Sequence, residues 1–306
     1  MRKDGKEAGP EMERLLERPD ILVARIAERL GDPPPEETQT GMGADLHPSV
    51  VLLVLGRGPD GPGLVLNKRS RRVPQPGDLC CPGGGMMPRT DAALSRLLFL
   101  PGSPLRRWPG WERLRERRPA AARNLARMAA AGLREAFEEM RLNPLRVSLL
   151  GPLPPERLRM FRRVIHPLAV WTDGRLRLAP NREVERIVRI PLRHLLDPAH
   201  YARFRVSIAR NGDAAPEVRE FPCVRFADAA GEEILWGATF RIVSAFLREI
   251  FEFGPPPPEA LPRIDGRLNR DYMTGNGRGR VREFQNRPSR GDSEKADIPR
   301  RSGIDP

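Results

Sequence analysis

Arg134-Glu135-Ala136-Phe137-Glu138-Glu139-Met140 is the stretch around which the 306-residue chain is organised. Wound as a helix from Arg134, it sets the carboxylates of Glu138, Glu135 and Glu139 at roughly 40°, 100° and 140°. Leu125, Ala126, Ala129, Leu133, Ala136, Phe137 and Met140 fall on the arc from about 180° to 300° of the same wheel. One face can therefore dock on a core while the other gathers three negative charges. Like charges four residues apart, as in Glu135 and Glu139, repel one another. A divalent cation would relieve that repulsion, and clustered carboxylate oxygens suit Mg2+ or Mn2+. The plainer reading is a solvated acidic face with Arg134 paired to Glu138. What lies upstream decides between them.

Length allows one large domain or two small ones. Hydrophobic residues make up 39% of the chain, beside 34 prolines and 28 glycines, which predicts a globular core diluted by loops and tails. A formal charge of +13 suits anionic partners: phosphorylated metabolites, nucleic acid or a membrane surface. Cys80, Cys81 and Cys223 make neither a disulfide framework nor a C-x-x-C metal pair, so the adjacent two read as reduced thiols in a strand. No apolar run is long enough to span a bilayer and no secretory signal is recognisable, which predicts a cytoplasmic protein.

Taken in order, residues 1–44 read as an N-terminal arm with helical spacing over 12–30, in one piece or broken at Pro19. Residues 49–55 and 63–69 read as a hairpin, and residues 76–81 as a strand entering a glycine loop, Pro82-Gly83-Gly84-Gly85. Glycine there permits positive φ and close approach of backbone N–H groups to an anion. Residues 96–127 are arginine-rich and include Trp108 and Trp111. They read either as an exposed insertion with a short helix near 111–117 or as a lid carrying positive charge over a phosphate substrate. Further strands are expected at 147–153, 164–171, 175–178 and 187–192, with a pair at 204–206 and 223–226 flanking a turn at Asn211-Gly212. A closing helix over 234–253 ends at Pro255, and the poorly apolar remainder predicts a disordered basic tail. The boundaries are thus an arm (1–44), a main domain (45–253, insertion about 95–122) and a proline-rich linker with its tail (254–306).

Pro82-Gly83-Gly84-Gly85, Asp91 and Arg134-Glu135-Ala136-Phe137-Glu138-Glu139-Met140-Arg141-Leu142 together resemble the Nudix box, G-x5-E-x7-R-E-U-x-E-E-x-G-U. Leu66-Asn67-Lys68-Arg69-Ser70, Gly77 and Pro82-Gly83-Gly84 are similar to the extra signature of coenzyme A pyrophosphatase-type Nudix enzymes. Asn181-Arg182-Glu183-Val184-Glu185, Ile190-Pro191-Leu192 and Trp236-Gly237-Ala238-Thr239 resemble later landmarks of that subgroup. The chain departs from the pattern in five places. Residues 92–133 (42 in all) split the box, Asp91 stands for its first glutamate and aligns from Gly85, one position late, Arg141 replaces its final glycine, Cys81 replaces an aromatic, and Pro74 stands near an expected arginine. Arg141 in a left-handed cap would be strained, so the helix is expected to end differently, near Asn143-Pro144.

The resemblance implies an α+β fold, a Nudix-type α/β/α sandwich with a mixed sheet. It also implies Mg2+- or Mn2+-dependent hydrolysis of coenzyme A or a related nucleoside diphosphate derivative. Glu138 and Glu139 would be metal ligands, Glu135 a third ligand or the base that orients water, and Arg134 the residue that holds the glutamates in place. Gly83 and Gly84 would face phosphate or metal through their backbone, and Arg69 and Arg72 would meet substrate phosphate. Open alternatives are another substrate (a dinucleotide, nucleotide sugar or capped RNA) and a non-catalytic nucleotide-binding module.

Overall fold

The computed structural model describes residues 10–31, 47–158, 162–172, 177–208, 217–268, 272 and 282–285. Its centre is β1 (His47–Gly58), whose side chains alternate between two apolar layers. Val50, Leu52 and Val54 face one layer, and Leu53 and Leu55 face the other. β1 forms the expected hairpin with β2 (Gly61–Arg69) and runs parallel to β7 (Arg163–Thr172). The sheet is ordered β3-β2-β1-β7-β5, with β3 (Leu79–Cys80) and β5 (Val147–Pro152) at its ends. Three further strands branch from it: the short β4 (Gly83–Gly85) on β1 and β6 (Glu156–Leu158) on β7, and the longer β8 (Val184–Pro191) along β2.

Helices cover both faces, so the architecture is the α+β sandwich with a mixed sheet that was expected. On one side lie α1 (Pro10–Glu17), α2 (Pro19–Arg29), α6 (Leu192–Leu195) and α7 (Gly237–Phe251), which bury Leu22, Ile26, Leu195, Phe246 and Leu247 in one layer with Leu53 and Leu55. The break at Pro19 puts proline at the first position of α2, where a missing N–H costs nothing. On the other side lies α5 (Pro119–Met140), whose Leu125, Ala129, Leu133 and Ala136 meet Val50, Leu52 and Val54. Gly132 brings that helix close: a Cβ there would stand 2.6 Å from a Leu52 methyl carbon.

Several expectations need correction. First, α5 stops at Met140 with Arg141 in the left-handed conformation (φ 57°), not near Asn143-Pro144. The strain, about 1–2 kcal/mol, is tolerated because Leu142, fully buried, is tied by its N–H to the Ala136 carbonyl. The Arg141 guanidinium lies 5.1 Å from the Phe137 ring centre, and Phe137, at the edge of the apolar arc, is exposed.

Second, the arginine-rich segment contains the expected short helix and exposes most of its arginines, but a buried apolar side anchors it to the domain. α3 (Pro88–Ser95) and α4 (Trp111–Arg117) pack on α5, and Trp108 and Trp111 are 1% and 0% exposed. Arg107 donates to the Leu145 and Val147 carbonyls and Arg113 to that of Gly31, while Arg106 and Arg115 pair with Glu112. The last expected residues of the insertion, 119–122, are the first turn of α5.

Third, Ile234 and Leu235 belong to β11 (Gly231–Leu235), and α7 begins only at Gly237. Fourth, the chain stays folded past residue 253. β12 (Arg263–Leu268) runs parallel to β9 (Tyr201–Ile208) in a second sheet, ordered β11-β10-β9-β12-β13, with β10 (Glu217–Asp228) and β13 (Arg282–Gln285). Leu261, Ile264, Leu268 and Tyr272 are buried there. Arg177 and Leu178 are not in a strand. Residues 175–176, the turn at 211–212, the N-terminal residues 1–9 and the tail 286–306 lie outside the described residues. No described helix is long and apolar enough to cross a membrane.

A chain stopped at Phe253 loses Leu261, Ile264 and Leu268, each worth about 1.5–3 kcal/mol when buried. Its unfolding free energy in a denaturant titration is expected to fall by at least about 4 kcal/mol. An unchanged midpoint would put the end of the domain back at residue 253.

Candidate active site

The site begins where β4 meets β1. Val50 pairs with Gly84 and Val51 with Gly83, so the expected glycine loop is itself a short strand. Gly83 has φ 151°, and a Cβ on it would stand 2.2 Å from the Val50 carbonyl oxygen; no other residue fits. At Gly84 the obstacle is different. A Cβ there would stand 2.6 Å from the carboxyl carbon of Glu135, which lies across the strand.

Arg134 fixes that arrangement. Its Nε donates to Asp91 Oδ1 at 2.9 Å, Nη1 to Glu135 Oε1 at 2.9 Å, and Nη2 to the Gly85 carbonyl at 3.1 Å. Asp91, on α3, also accepts from the Met87 N–H and is 1% exposed. The 42 residues between Asp91 and Arg134 (92–133) therefore close on themselves, and the split in sequence is healed in space. Burial works against the Arg134 charge, but its bonds to Asp91 and Glu135 win and hold it well above the ordinary arginine range.

Glu139 sits one turn further on. Its Oε2 accepts from the Asn67 side-chain amide at 2.8 Å and from the Gly83 N–H at 3.2 Å. Burial pushes its carboxyl up to about 7; Glu135 and Glu183 add to the rise, while the Gly83 N–H and Arg69 oppose it. Glu135 is likewise raised, by burial first and then by Glu138 and Asp91, against the pull of Arg134. Negative charge is thus crowded into a half-buried place beside backbone N–H groups.

Of the residues expected at the site, Arg134, Glu135, Glu139, Gly83 and Gly84 are brought together. Arg69 acts electrostatically on Glu139 from β2, with Nε donating to the Pro74 carbonyl and Nη1 approaching Cys80 Sγ at 3.9 Å. Glu138 stands apart: its side chain is 53% exposed and lies 3.5 Å from Arg134. Arg72 is exposed in the turn after β2, where its N–H donates to Ser70 Oγ. Burial pushes the Cys80 thiol up to about 11 and Cys81 higher still, so both are thiols, not thiolates.

Two contributors have weak sequence signals. Asn67 is the polar residue among the buried positions of β2, which marks it once β2 is drawn. Asp78 accepts from Trp236 Nε1 at 3.0 Å and from the Tyr272 hydroxyl, and the Gln75 N–H donates to the Tyr272 carbonyl. The second sheet therefore braces the loop that carries Arg72, a contact that no local pattern announces.

The donor set fits a hard divalent cation in kind: it is all oxygen and mostly carboxylate. The Asn67 Oδ1 atom beside Glu139 is buried without a hydrogen-bond partner, a position that a further donor would satisfy. Among the described residues, no three His, Cys, Asp or Glu side chains are grouped closely enough to hold an ion as they stand. The geometry gives the reason: Arg134 draws Glu135 and Glu138 to itself, and Asn67 and Gly83 hold Glu139.

No family model and no curated protein matches the chain. Among solved structures it is similar to a Nudix hydrolase from M. Smegmatis, RenU, at 14% identity over 47% of this chain and 70% of that one, with a TM-score of 0.31. It is also similar to a NUDIX hydrolase from Alicyclobacillus acidocaldarius (16% identity, 50% and 82% covered, TM-score 0.34). A C. elegans Ap4A hydrolase in a binary complex gives 11% identity, 49% and 84% coverage and a TM-score of 0.31. At those scores the likeness adds nothing to the geometry.

Gly84→Ala is expected to swing the Glu135 carboxylate, the far end of a flexible side chain, off the strand. Metal-free stability should change by less than about 1 kcal/mol, while Mn2+ affinity by calorimetric titration falls about ten-fold. Unchanged affinity would remove Glu135 from the site.

Proposed function

We propose that this chain is a metal-dependent pyrophosphohydrolase of the Nudix type, cleaving the pyrophosphate bond of coenzyme A or a related nucleoside diphosphate derivative in the cytoplasm. One observation carries the reading: Arg134 joins Asp91, Gly85 and Glu135 across the insertion, so the scattered pieces of the motif meet around one glycine strand. A solvated acidic face would not bury Asp91 or lay Glu135 against Gly84.

Glu138 and Glu139 would hold Mg2+ or Mn2+, with Glu135 as a third ligand or the base that orients water. A bound divalent ion supplies neutralisation of pyrophosphate charge and a more acidic water. The other roles belong to the chain itself. Arg134 keeps Glu135 in one orientation, and the bare Gly84 backbone lets that carboxylate approach. Asn67 and the Gly83 N–H fix one oxygen of Glu139 and leave the other to the reaction. Arg69, and Arg72 on the braced loop, would meet the substrate phosphates and set their position, which is how binding energy at a non-reacting group becomes rate.

The Glu138–Arg134 contact favours one rival, a nucleotide-binding module without turnover, because the guanidinium competes with a cation for that carboxylate. RNA is disfavoured: Arg107 and Arg113 of the insertion are engaged by the chain's own carbonyls.

Hydrolysis of coenzyme A, ADP-ribose, a dinucleotide and a nucleotide sugar, each with Mg2+ and with Mn2+, separates the substrates. Glu138→Gln and Glu139→Gln are each expected to lower kcat at least about a hundred-fold, with the fold intact by circular dichroism. Ligand binding without phosphate release in the parent would favour the module, and both variants turning over at the parent rate would refute the site.

A further inference from the structure

Along β2, Leu64 and Leu66 point into the layer shared with α7, and Val65 into the layer under α5. Asn67 is next on the Val65 side, in a 1%-exposed position where an apolar residue would be expected. Its Nδ2 donates to Glu139 Oε2 at 2.8 Å, the same oxygen that accepts from the Gly83 N–H. Its Oδ1 has no hydrogen-bond partner. Reversing the amide would set one acceptor against another, because a carboxylate oxygen only accepts, so the orientation is fixed by Glu139. If Asn67 served the carboxylate alone, a donor would be enough. An amide brings a second, buried acceptor that nothing in its surroundings uses, and such an acceptor is costly unless something occupies it.

We infer that Asn67 is the positioning residue for Glu139 and that its unpaired carbonyl oxygen accepts a hydrogen bond from a water of the hydrated divalent cation held at the carboxylates. The inference rests on the metal-dependent reading above and adds a residue to it. The donor half turns Glu139 so that Oε1 keeps its lone pairs for the ion. The acceptor half orients a water beside it, the usual part of a group one layer removed from a metal.

The test uses the full chain and Mn2+ as the probe, with affinity measured by calorimetric titration and the metal-free thermal midpoint measured alongside. Asn67→Leu removes donor and acceptor at similar volume and is expected to weaken Mn2+ binding about ten-fold. Asn67→Asp keeps an acceptor oxygen but loses the donor that turns Glu139, so it is expected to weaken Mn2+ binding by no more than about three-fold, while it lowers the metal-free midpoint by setting a second carboxylate against Glu139. A purely structural Asn67 would lower the midpoint in both variants and leave Mn2+ affinity at the parent value, which overturns the inference. Equal loss of affinity in both would overturn the acceptor role. Should Asn67→Leu fail to fold, Asn67→Asp decides alone: retained affinity supports the role and a ten-fold loss refutes it. A parent that does not bind Mn2+ defeats the metal-dependent reading and this inference together, whereas a parent that binds it beside an unaffected Asn67→Leu defeats only the inference.

Discussion

The structure depends on one guanidinium. Arg134 has an 8% exposed side chain and touches three elements at once: Asp91 on α3, the Gly85 carbonyl on β4, and Glu135 on its own helix. A buried pair of this kind adds little net stability over an apolar pair of the same shape, yet removing one partner strands a charge at a cost of about 3–5 kcal/mol. Its value is therefore in specification. It makes a single arrangement of helix, strand and insertion cheaper than its neighbours, and that arrangement holds a carboxylate across a glycine backbone.

The same physics sets the electrostatics of the site. Glu135 and Glu139 are half-buried and near each other, and burial raises both. Arg134, Arg69, Asn67 and the Gly83 N–H oppose the cost of that crowding. Shifts of this kind cluster at functional sites, and structural ion-pair networks produce them as well. The exposed Glu138, drawn part of the way towards Arg134, is free to turn either to the guanidinium or to an incoming ion.

Much of this was legible from residue spacing. The apolar arc of α5, the alternation in β1 and β2 and the carboxylate face follow from helix and strand periods, which depend on the backbone alone. Contacts between distant segments did not follow. Arg263–Leu268 reads as tail because its inward positions are Ile264, Gly266 and Leu268, too few bulky groups to signal a strand; Gly266 is bare because Phe204 fills its space. The tryptophans of the insertion looked exposed beside so many arginines, but guanidiniums that reach backbone carbonyls leave their neighbours free to be buried. Arg141 took the left-handed cap against its intrinsic preference because the burial of Leu142 outweighs about 1 kcal/mol of strain. Asn67 was visible as a residue, and its role was not, since that role is defined by a glutamate 72 positions away.

Arg134 and Asp91 act as one unit across the intervening segment. A double-mutant cycle on the full chain measures it: Asp91→Ala, Arg134→Ala and the pair, each by denaturant unfolding without metal. A coupling energy of about 2 kcal/mol or more is expected, at the upper end for contacting residues, with the double variant less destabilised than the sum of the singles. Additive losses, with coupling under about 0.5 kcal/mol, would mean that the two side chains do not hold the site together.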